Sequence, residues 1–406
     1  MSKQQLTGQA SLFDDSQGPN FTDTGVHDKK RLAELQALPL DRKIMITQTR
    51  IIEWYVKWKG QVYVNFSGGK DSTVLLHIAR QCFPDIEAVF INTGLEYPEI
   101  QKFAKSFDNV TVVRPKMSFV EVIKHYGYPV ISKEVAECIY DARNALTRKE
   151  ENATSTWRAK RLRGEILQPD GTPSMYNCEK YAPLLQTDFL IGNGCCRIMK
   201  KSPGKHFAKT SNKKPINGTM AAESKLRRQS WLKHGCNGFD MTLPTSQPMS
   251  FWTEQDVLEY IHRYNLPIAP VYGKVIPTTN GCKLCTTGCD RTGCIFCGFG
   301  AHLNDDDRFV RLKETHPRQY DYCINGGEYA WVGHRKVNVK WKKIEFTNND
   351  GSPMLPEEIE SFVEQHKDEP GFAFEKVWQP NKQGLGMGHV FDEINKIYGE
   401  NFIRYK

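Results

Sequence analysis

The chain has 406 residues, of which 39% are hydrophobic and 25% are charged, ordinary values for a globular protein with a buried core. A chain of this length favours two domains, and since no stretch approaches 18 consecutive apolar residues we expect no membrane-spanning helix and no membrane partner. Its 55 basic and 47 acidic residues give a mild net charge of +8, which excludes a strongly polyanionic or polycationic chain.

Residues 1–25 are polar and lack the basic and apolar segments of a signal peptide, which predicts a loosely docked tail in a cytoplasmic protein. Hydrophobic periodicity then predicts elements in chain order: a helix over 32–59 with a break at 38–41, a strand over 61–66, a helix over 73–81, a strand over 86–92, a helix over 98–107 and a strand over 110–113. Strands that alternate with helices indicate a parallel sheet covered on both faces.

The second half of the chain is less regular. Residues 147–211 are polar and rich in glycine and proline, which predicts an insertion or lid. Later helices are predicted over 252–264, with Thr253 as N-cap, and over 356–366 and 390–398, whereas 281–300 is predicted to be a loop. We therefore expect a tail and lead-in over 1–40, a nucleotide-binding domain over 41–272 with an insertion near 147–215, and a Cys-rich C-terminal subdomain over 273–406.

Two clusters of basic residues lie in the middle of the chain. Residues 158–163 include Lys160, Arg161 and Arg163, and residues 200–214 contain six lysines. Such clusters suit polyanions such as nucleotides or nucleic acid, but they are equally typical of a solvated surface. The sequence leaves both interpretations open.

A glycine-rich loop joins the first strand to the following helix. Residues 67–72 read Ser-Gly-Gly-Lys-Asp-Ser, and the paired glycines Gly68 and Gly69 allow positive φ and a close approach of phosphate to the backbone. Helix amides and the helix dipole favour an anion there. Ser67 and Ser72 would add hydroxyl donors, Lys70 a positive charge, and Asp71 a carboxylate suited to Mg²⁺ or to ordering the loop.

This loop lacks the Walker A spacing and resembles the PP-loop of ATP pyrophosphatases. The resemblance implies an α/β fold of the adenine nucleotide alpha-hydrolase type, with a parallel sheet and helices on both faces. Two further segments, 90–99 and 218–228, resemble phosphoadenylyl-sulfate (PAPS) reductases, although Asn92 and Met220 replace the usual Asp and Arg. The resemblance implies that further nucleotide-binding residues are Thr93, Gly94, Glu96, Glu223, Ser224 and Arg227.

Twelve cysteines form the second informative pattern. Their clustering in a chain without an export signal favours a metal or redox site over disulfides. Family members with an adjacent Cys pair and a later Cys-x-x-Cys bind a 4Fe-4S cluster, and the resemblance implies the same ligands here, Cys195, Cys196, Cys294 and Cys297. A zinc site is the alternative, formed by Cys282, Cys285, Cys294 and Cys297. Cys289 is interpreted as a spare thiol or a sulfur carrier.

The resemblance leaves three functions open. In the favoured one, Lys70 and Asp71 are catalytic with ATP and Mg²⁺, AMP and pyrophosphate are released, and a nucleic-acid acceptor is adenylated for sulfur transfer, as in iron–sulfur DNA phosphorothioation enzymes. A cysteine desulfurase or another donor would supply the sulfur. The alternatives are a sulfonucleotide reductase, whose C-terminal nucleophile has no counterpart after Cys323, and a non-catalytic redox sensor. The acceptor and the oligomeric state stay open.

Overall fold

The computed structural model describes residues 27–148, 150, 152–279, 281, 283–303 and 306–406. The predicted N-terminal tail over 1–25 lies outside these residues. The strands, in chain order, are β1 (Val62–Asn65), β2 (Ala88–Ile91), β3 (Val110–Val113), β4 (Val130–Ile131), β5 (Lys214–Asn217), β6 (Asn237–Gly238), β7 (Thr245–Ser246), β8 (Val275–Pro277), β9 (Leu284–Thr286), β10 (Gly298–Phe299), β11 (Glu328–Val337), β12 (Lys340–Lys343) and β13 (Phe372–Gln379).

Helices are interspersed among these strands along the described chain. In order they are α1 (Lys29–Gln36), α2 (Leu40–Lys57), α3 (Lys70–Cys82), α4 (Pro98–Lys105), α5 (Phe119–Tyr126), α6 (Lys133–Thr147), α7 (Trp157–Leu162), α8 (Gly194–Cys196), α9 (Ser202–Ser211), α10 (Lys225–His234), α11 (Glu254–Arg263), α12 (Arg308–Thr315), α13 (Pro317–Ile324), α14 (Pro356–His366) and α15 (Met387–Tyr398). Among them, none combines the length and apolarity needed to cross a bilayer.

The chain forms two compact units, each made of two stretches of sequence. The first unit comprises the chain up to Arg114 together with Gly204–Thr292, and the second comprises Pro115–Pro203 and Gly293–Lys406. These limits differ from the predicted boundaries at residues 40 and 272. The reason is long-range pairing: β4 pairs with β10, and Tyr128 donates a hydrogen bond to the carbonyl of Leu385 at 2.7 Å.

The first unit contains the central sheet, with strand order β3-β2-β1-β5-β7-β6. All neighbouring strands are parallel except β6 and β7, so the expected α/β fold with a parallel sheet is confirmed. Helices α2, α3 and α11 contact one another and bury a continuous apolar cluster that includes Trp54, Leu75 and Tyr260. Burial of such side chains is the main term that stabilises this unit.

Several predicted elements are confirmed with small shifts. The predicted helix over 32–59 is divided at Pro39 into α1 and α2, as the break at 38–41 indicated. Thr253 is the N-cap of α11, with a capping box to Asp256. Helix α3 begins at Lys70, three residues before the predicted start, because the glycine loop turns directly into the helix. The segment over 281–300 is not entirely loop, since it contributes the short strands β9 and β10.

The second unit is built from short sheets and helices. Strand β11 lies between β12 and β13 in an antiparallel sheet, and β4 pairs in parallel with β10. Helix α15 contacts α13 and buries Val390, Phe391 and Ile394. The segment predicted as an insertion over 147–215 thus contributes mainly to this unit, up to Pro203.

Candidate functional site

The glycine loop connects the carboxyl end of β1 to the first turn of α3. Gly68 has φ +71°, and a Cβ placed on it would lie 3.0 Å from Cγ2 of Ile100 and 3.1 Å from its carbonyl oxygen. Only glycine adopts this conformation without strain, and only glycine leaves room for α4. Gly69 is the N-cap of α3 and gives it no side-chain cap, and the amide of Lys70 donates a long hydrogen bond of 3.4 Å to the hydroxyl of Tyr272. A helix start of this kind favours an anion.

Serine and threonine hydroxyls fix the loop from inside. The hydroxyls of Ser67 and Ser72 lie 3.0 Å apart, and Ser72 also donates to the carbonyl of Gly69 at 2.9 Å. Thr73 donates to the same carbonyl at 3.0 Å. The predicted phosphate donors Ser67 and Ser72 therefore shape the loop in this state, and a bound anion would compete for the same hydroxyls.

Lys70 is buried, and its ammonium has two partners within the first unit. It lies 2.6 Å from Oε1 of Glu254 at the start of α11, and it donates to the carbonyl of Asp290. The ring of Tyr272 lies 5.8 Å from the same ammonium. The predicted phosphate-binding cation is thus held by a carboxylate and a carbonyl, which an incoming phosphate would have to displace or share.

Asp71 is the half-buried acid of the loop. Burial raises the pKa of its carboxyl, the charge of Glu254 raises it further, and the charges of Lys70, Arg291 and Arg227 oppose these effects. Its Oδ1 is buried and has no hydrogen-bond partner among the described residues. An unsatisfied buried carboxylate oxygen costs free energy, and a bound cation would remove that cost.

A cavity of about 360 Å³ opens beside the loop and lies wholly within the first unit. Lys70, Glu254, Cys285, Asp290 and Arg291 line it, so it combines two cations, two acidic residues and one thiol. Sequence reasoning missed Glu254, Asp290 and Arg291 as site residues. For Glu254 a signal existed, since acidic residues in the first turn of a helix after an N-cap such as Thr253 are common. For Asp290 and Arg291 the sequence offered only a charged pair inside a cysteine-rich segment.

The segment after β2 forms a closed turn. Asn92 accepts a hydrogen bond from the amide of Gly94 at 3.1 Å, a role that the usual Asp would also fill. Thr93 donates to Glu96 Oε1 at 2.8 Å, and the amide of Leu95 donates to the Thr93 hydroxyl at 3.1 Å. The predicted nucleotide contacts Thr93 and Glu96 therefore bind each other, and Gly94 has φ +77° with open space around it.

The residues around the start of α10 also bind one another. Ser224 caps α10 by accepting from the amide of Arg227 at 3.3 Å, and Glu223 forms an ion pair with the same arginine. Met220 is buried in the core, where the family's usual Arg would be out of place. Burial lowers the pKa of Arg227, while the charge of Asp71 raises it. Arg227 therefore lies within electrostatic range of the loop carboxylate.

The four predicted cluster ligands all belong to the second unit. The adjacent cysteines lie in α8, where the side chain of Tyr126 packs so closely on Gly194 that a Cβ there would be 2.7 Å from the ring. The later pair lies in a turn closed by a 3.0 Å hydrogen bond from the amide of Cys297 to the carbonyl of Cys294, and Arg308 donates to the carbonyl of Cys297 at 2.9 Å.

The thiols of the two cysteine pairs lie within electrostatic range of each other. Hydrogen bonding from Cys195 lowers the pKa of Cys196 to about 5, and the charges of Lys133 and Lys200 lower it as well. Hydrogen bonding to Cys196 and burial raise the pKa of Cys195, and negative charge on Cys297 and Cys294 adds to the rise. A thiolate at Cys196 is the form that binds iron.

Two further cysteines of the Cys-rich segment belong to a different unit from the four predicted cluster ligands. Cys285 and Cys289 lie in the first unit, and Cys282 lies outside the described residues, so the alternative zinc set stays a prediction. Within the described ranges, no three His, Cys, Asp or Glu side chains converge at the spacing of a single metal ion.

The chain is similar in sequence to a known domain family and to several known proteins. The sequence model for the phosphoadenosine phosphosulfate reductase domain matches residues 61–139 and 158–298. An uncharacterized protein of Methanocaldococcus jannaschii is 37% identical over 86 residues, which cover 20% of this chain and 21% of that protein. Adenosine 5'-phosphosulfate reductase of Bacillus cereus is 21% identical over 243 residues, covering 58% of this chain and 78% of the enzyme.

Two solved structures are also similar in part. PAPS reductase from Candida auris, in a phosphate complex, has a TM-score of 0.31 and 14% identity, and the match covers 60% of this chain and 90% of that one. FMN adenylyltransferase from Candida glabrata has a TM-score of 0.30 and 12% identity, with 60% of this chain and 65% of that one covered.

Proposed function

Since this chain belongs to the phosphoadenosine phosphosulfate reductase domain family, we propose that it binds ATP at residues 67–72 and transfers the adenylyl group to an oxygen of an acceptor, with release of pyrophosphate. Sulfur from a separate donor then replaces that oxygen, and AMP leaves with it. The observation that carries this proposal is the complete loop. It combines Gly68 at φ +71°, an uncapped helix start, and a buried Asp71 oxygen without a hydrogen-bond partner among the described residues.

The charges around the loop suit cleavage between the α and β phosphates. Negative charge grows on the leaving pyrophosphate as that bond breaks, and positive groups already in place stabilise it. Lys70 and Arg291 line the cavity, and Arg227 lies within electrostatic range of Asp71. Mg²⁺ held by Asp71 would supply further neutralisation of the phosphate charge. Lys70 would bind the phosphates after exchanging its contact with Glu254.

The cysteines support an iron–sulfur cluster in the same enzyme. Cys195, Cys196, Cys294 and Cys297 belong to one unit, and the charge of one pair shifts the pKa of the other. In a 4Fe-4S cluster each cysteine binds a different iron, so the four sulfurs are spaced more widely than around one zinc ion. Such a cluster would supply a redox-active centre that also binds sulfur. Lys133, whose side chain hydrogen-bonds to Cys196, would stabilise the thiolate that holds it.

The proposed reaction is tested by incubating the protein with Mg-ATP, with and without DNA or RNA, and measuring AMP and pyrophosphate. Asp71→Asn and Lys70→Ala are expected to lower the rate by at least about a hundredfold, because each removes a charge that acts on the phosphates. Asp108→Asn changes an exposed acid in the same unit and serves as the control. Equal rates for Asp71→Asn and the control would rule out the assigned role of the loop.

The cluster is tested separately by anaerobic purification with iron, zinc and sulfide analysis. Cys196→Ser is expected to lose iron and visible absorption, whereas Cys285→Ser is expected to keep both. The zinc alternative makes the opposite prediction, since Cys285 is one of its ligands and Cys196 is not. A colourless wild-type protein that contains zinc would therefore replace the cluster with the zinc site.

Sulfonucleotide reduction is the second candidate function. It is favoured by the 21% identity with the Bacillus cereus adenosine 5'-phosphosulfate reductase, which extends over 78% of that enzyme. Formation of sulfite from adenylyl sulfate with reduced thioredoxin, without AMP formation from ATP, would favour this reaction over adenylation. Binding of nucleotides with neither turnover would favour a regulatory redox module.

A further inference from the structure

The hairpin formed by β11 and β12 in the antiparallel sheet of the second unit is strongly basic. Residues 334–343 form the end of β11, a short turn and β12, and they contain no acidic residue. We call residues 334–343 the basic hairpin. Its basic side chains are His334, Arg335, Lys336, Lys340, Lys342 and Lys343. All the lysines and the arginine among them are exposed.

The register of the basic hairpin places like charges opposite each other. Arg335 pairs with Lys342. Like charges directly opposite in an antiparallel pair destabilise the sheet, so this arrangement has a cost in the free protein. The ammonium of Lys343 also lies 3.2 Å from Nδ1 of His125 in α5, which extends the nitrogen-rich surface. A bound polyanion would offset that repulsion.

Protection of a sheet edge explains only half of this pattern. Strand β12 is at the edge of its sheet, and lysines on edge strands prevent unwanted pairing with other chains. Strand β11, however, lies between β12 and β13 and has no free edge over residues 334–335, yet it contributes Arg335. Among the ion pairs of the described residues, none includes Arg335, Lys336, Lys340 or Lys342.

We propose that the basic hairpin is a docking surface for duplex DNA, with Arg335, Lys340 and Lys342 at its phosphates. Beyond Arg335, where the pairing of β11 with β13 ends, the hairpin continues as a two-stranded antiparallel ribbon. Such a ribbon fits the major groove of B-form DNA, which is roughly 12 Å wide. Trp341, paired with Lys336 and half-buried, adds an aromatic side chain to the same ribbon. The proposal that DNA binds here does not depend on the proposed function. The further proposal that the bound DNA is the sulfur acceptor rests on the proposed function.

The decisive variant replaces three cations at once: Arg335→Gln, Lys340→Gln and Lys342→Gln. Binding of a labelled duplex of about 20 base pairs is measured by fluorescence anisotropy between roughly 50 and 200 mM salt. The dissociation constant is expected to rise at least about tenfold near 100 mM salt, and the slope of log affinity against log salt to decrease by roughly three, about one per lost phosphate contact.

The matched control removes the same charge elsewhere in the second unit. Lys367→Gln, Lys396→Gln and Lys406→Gln change exposed lysines that are each paired with a carboxylate, and they are expected to leave the salt slope nearly unchanged. Since the hairpin variant relieves like-charge repulsion, its melting temperature without DNA is expected to be equal or higher. If the triple variant fails to fold, the single variant Lys340→Gln, at an exposed position, is measured instead. It is expected to lower the slope of log affinity against log salt by roughly one.

ATP turnover, measured on the same proteins with and without DNA, separates this inference from the proposed function. A hairpin variant that keeps AMP formation and loses DNA binding supports the docking surface. Wild-type protein that binds DNA through the hairpin but never cleaves ATP would refute the proposed reaction and leave the docking surface standing. Equal DNA affinity of the hairpin variant and the wild type, or wild-type binding to anionic phospholipid vesicles with none to duplex DNA, would refute the docking surface.

Discussion

The ammonium of Lys70 lies 2.6 Å from Oε1 of Glu254, a residue 184 positions further along the chain. In the free protein, the phosphate loop thus already holds a carboxylate against the cation that we assign to phosphate. The pair joins the start of α3 to the start of α11, and it lines the cavity beside the loop. Nucleotide binding has to overcome this contact.

Glu254→Gln is expected to tighten ATP binding about two- to fivefold, because an ion pair with one exposed partner is worth up to ~1 kcal/mol. The measurement is titration calorimetry with a non-hydrolysable ATP analogue and Mg²⁺. Glu259→Gln lies on the same helix, pairs with Arg263 and is the control. Weaker binding by Glu254→Gln would instead assign Glu254 to the metal ion.

Gly68→Ala is expected to destabilise the first unit by about 1–2 kcal/mol and to abolish ATP binding, because Gly68 has positive φ and its added Cβ would press on Ile100. Gly94→Ala is the matched comparison, since Gly94 has φ +77° but no atom within 4 Å of the added Cβ. Its loss of stability should reflect only the cost of the backbone conformation. Thermal unfolding of both variants measures the difference in stability, and equal losses would deny the role of steric contact. ATP titration is applied to Gly68→Ala alone, since Gly94 is itself a predicted nucleotide-binding residue.

Lys43→Met is expected to lower the free energy of unfolding by about 3 kcal/mol, because it leaves Asp256 without its buried partner. The ammonium of Lys43 lies 2.7 Å from both carboxylate oxygens, and the lysine is 2% exposed. Urea unfolding measures the loss. Arg263→Gln, which breaks an exposed pair with Asp41, should change stability by less than about 1 kcal/mol.

Stability is expected to fall as the pH drops below about 6.5, and His77 contributes to this loss. Burial lowers the pKa of His77, whose Nδ1 lies 2.8 Å from the hydroxyl of Tyr260. Over the range between the folded pKa and the ordinary value, the unfolded chain binds the extra proton, so stability rises with pH.

His77→Gln is therefore expected to show a smaller loss of unfolding free energy between pH 7.5 and 5.5 than the wild type, measured by urea unfolding at each pH. Burial also lowers the pKa of His302 in the second unit, so His302→Gln should reduce the remaining dependence. An unchanged pH dependence in both variants would assign the acid sensitivity to other groups.

The phosphate loop could be predicted from the sequence because its determinants are local. Gly68, Gly69 and the strand and helix around them lie within a few residues, and the structure places them as the pattern indicated. The capture of Lys70 by Glu254 and by the Asp290 carbonyl could not be predicted, since these partners lie 184 and 220 positions away. No local pattern specifies such a contact.

The same distinction explains why the predicted limits over 41–272 and 273–406 differ from the compact units. Periodicity identifies a helix or a strand but not its partner in space. The pairing of Val130 with Gly298 decides that residues 115–203 join the C-terminal part, and β4 is only two residues long. At Asn92 the replacement of the expected Asp changes little, because the amide oxygen of Asn92 accepts the hydrogen bond from Gly94 that holds the turn.

The division of each unit into two stretches has a consequence for biosynthesis. On the ribosome, β4 emerges long before β10, and at about 5–20 residues per second the wait is roughly ten to thirty seconds. The second unit cannot close during that time, and the first unit interrupts it in the sequence. Nascent chains that stop before Gly298 therefore expose an unpaired β4 and the thiols of Cys195 and Cys196, which makes such fragments targets for chaperones and for oxidation.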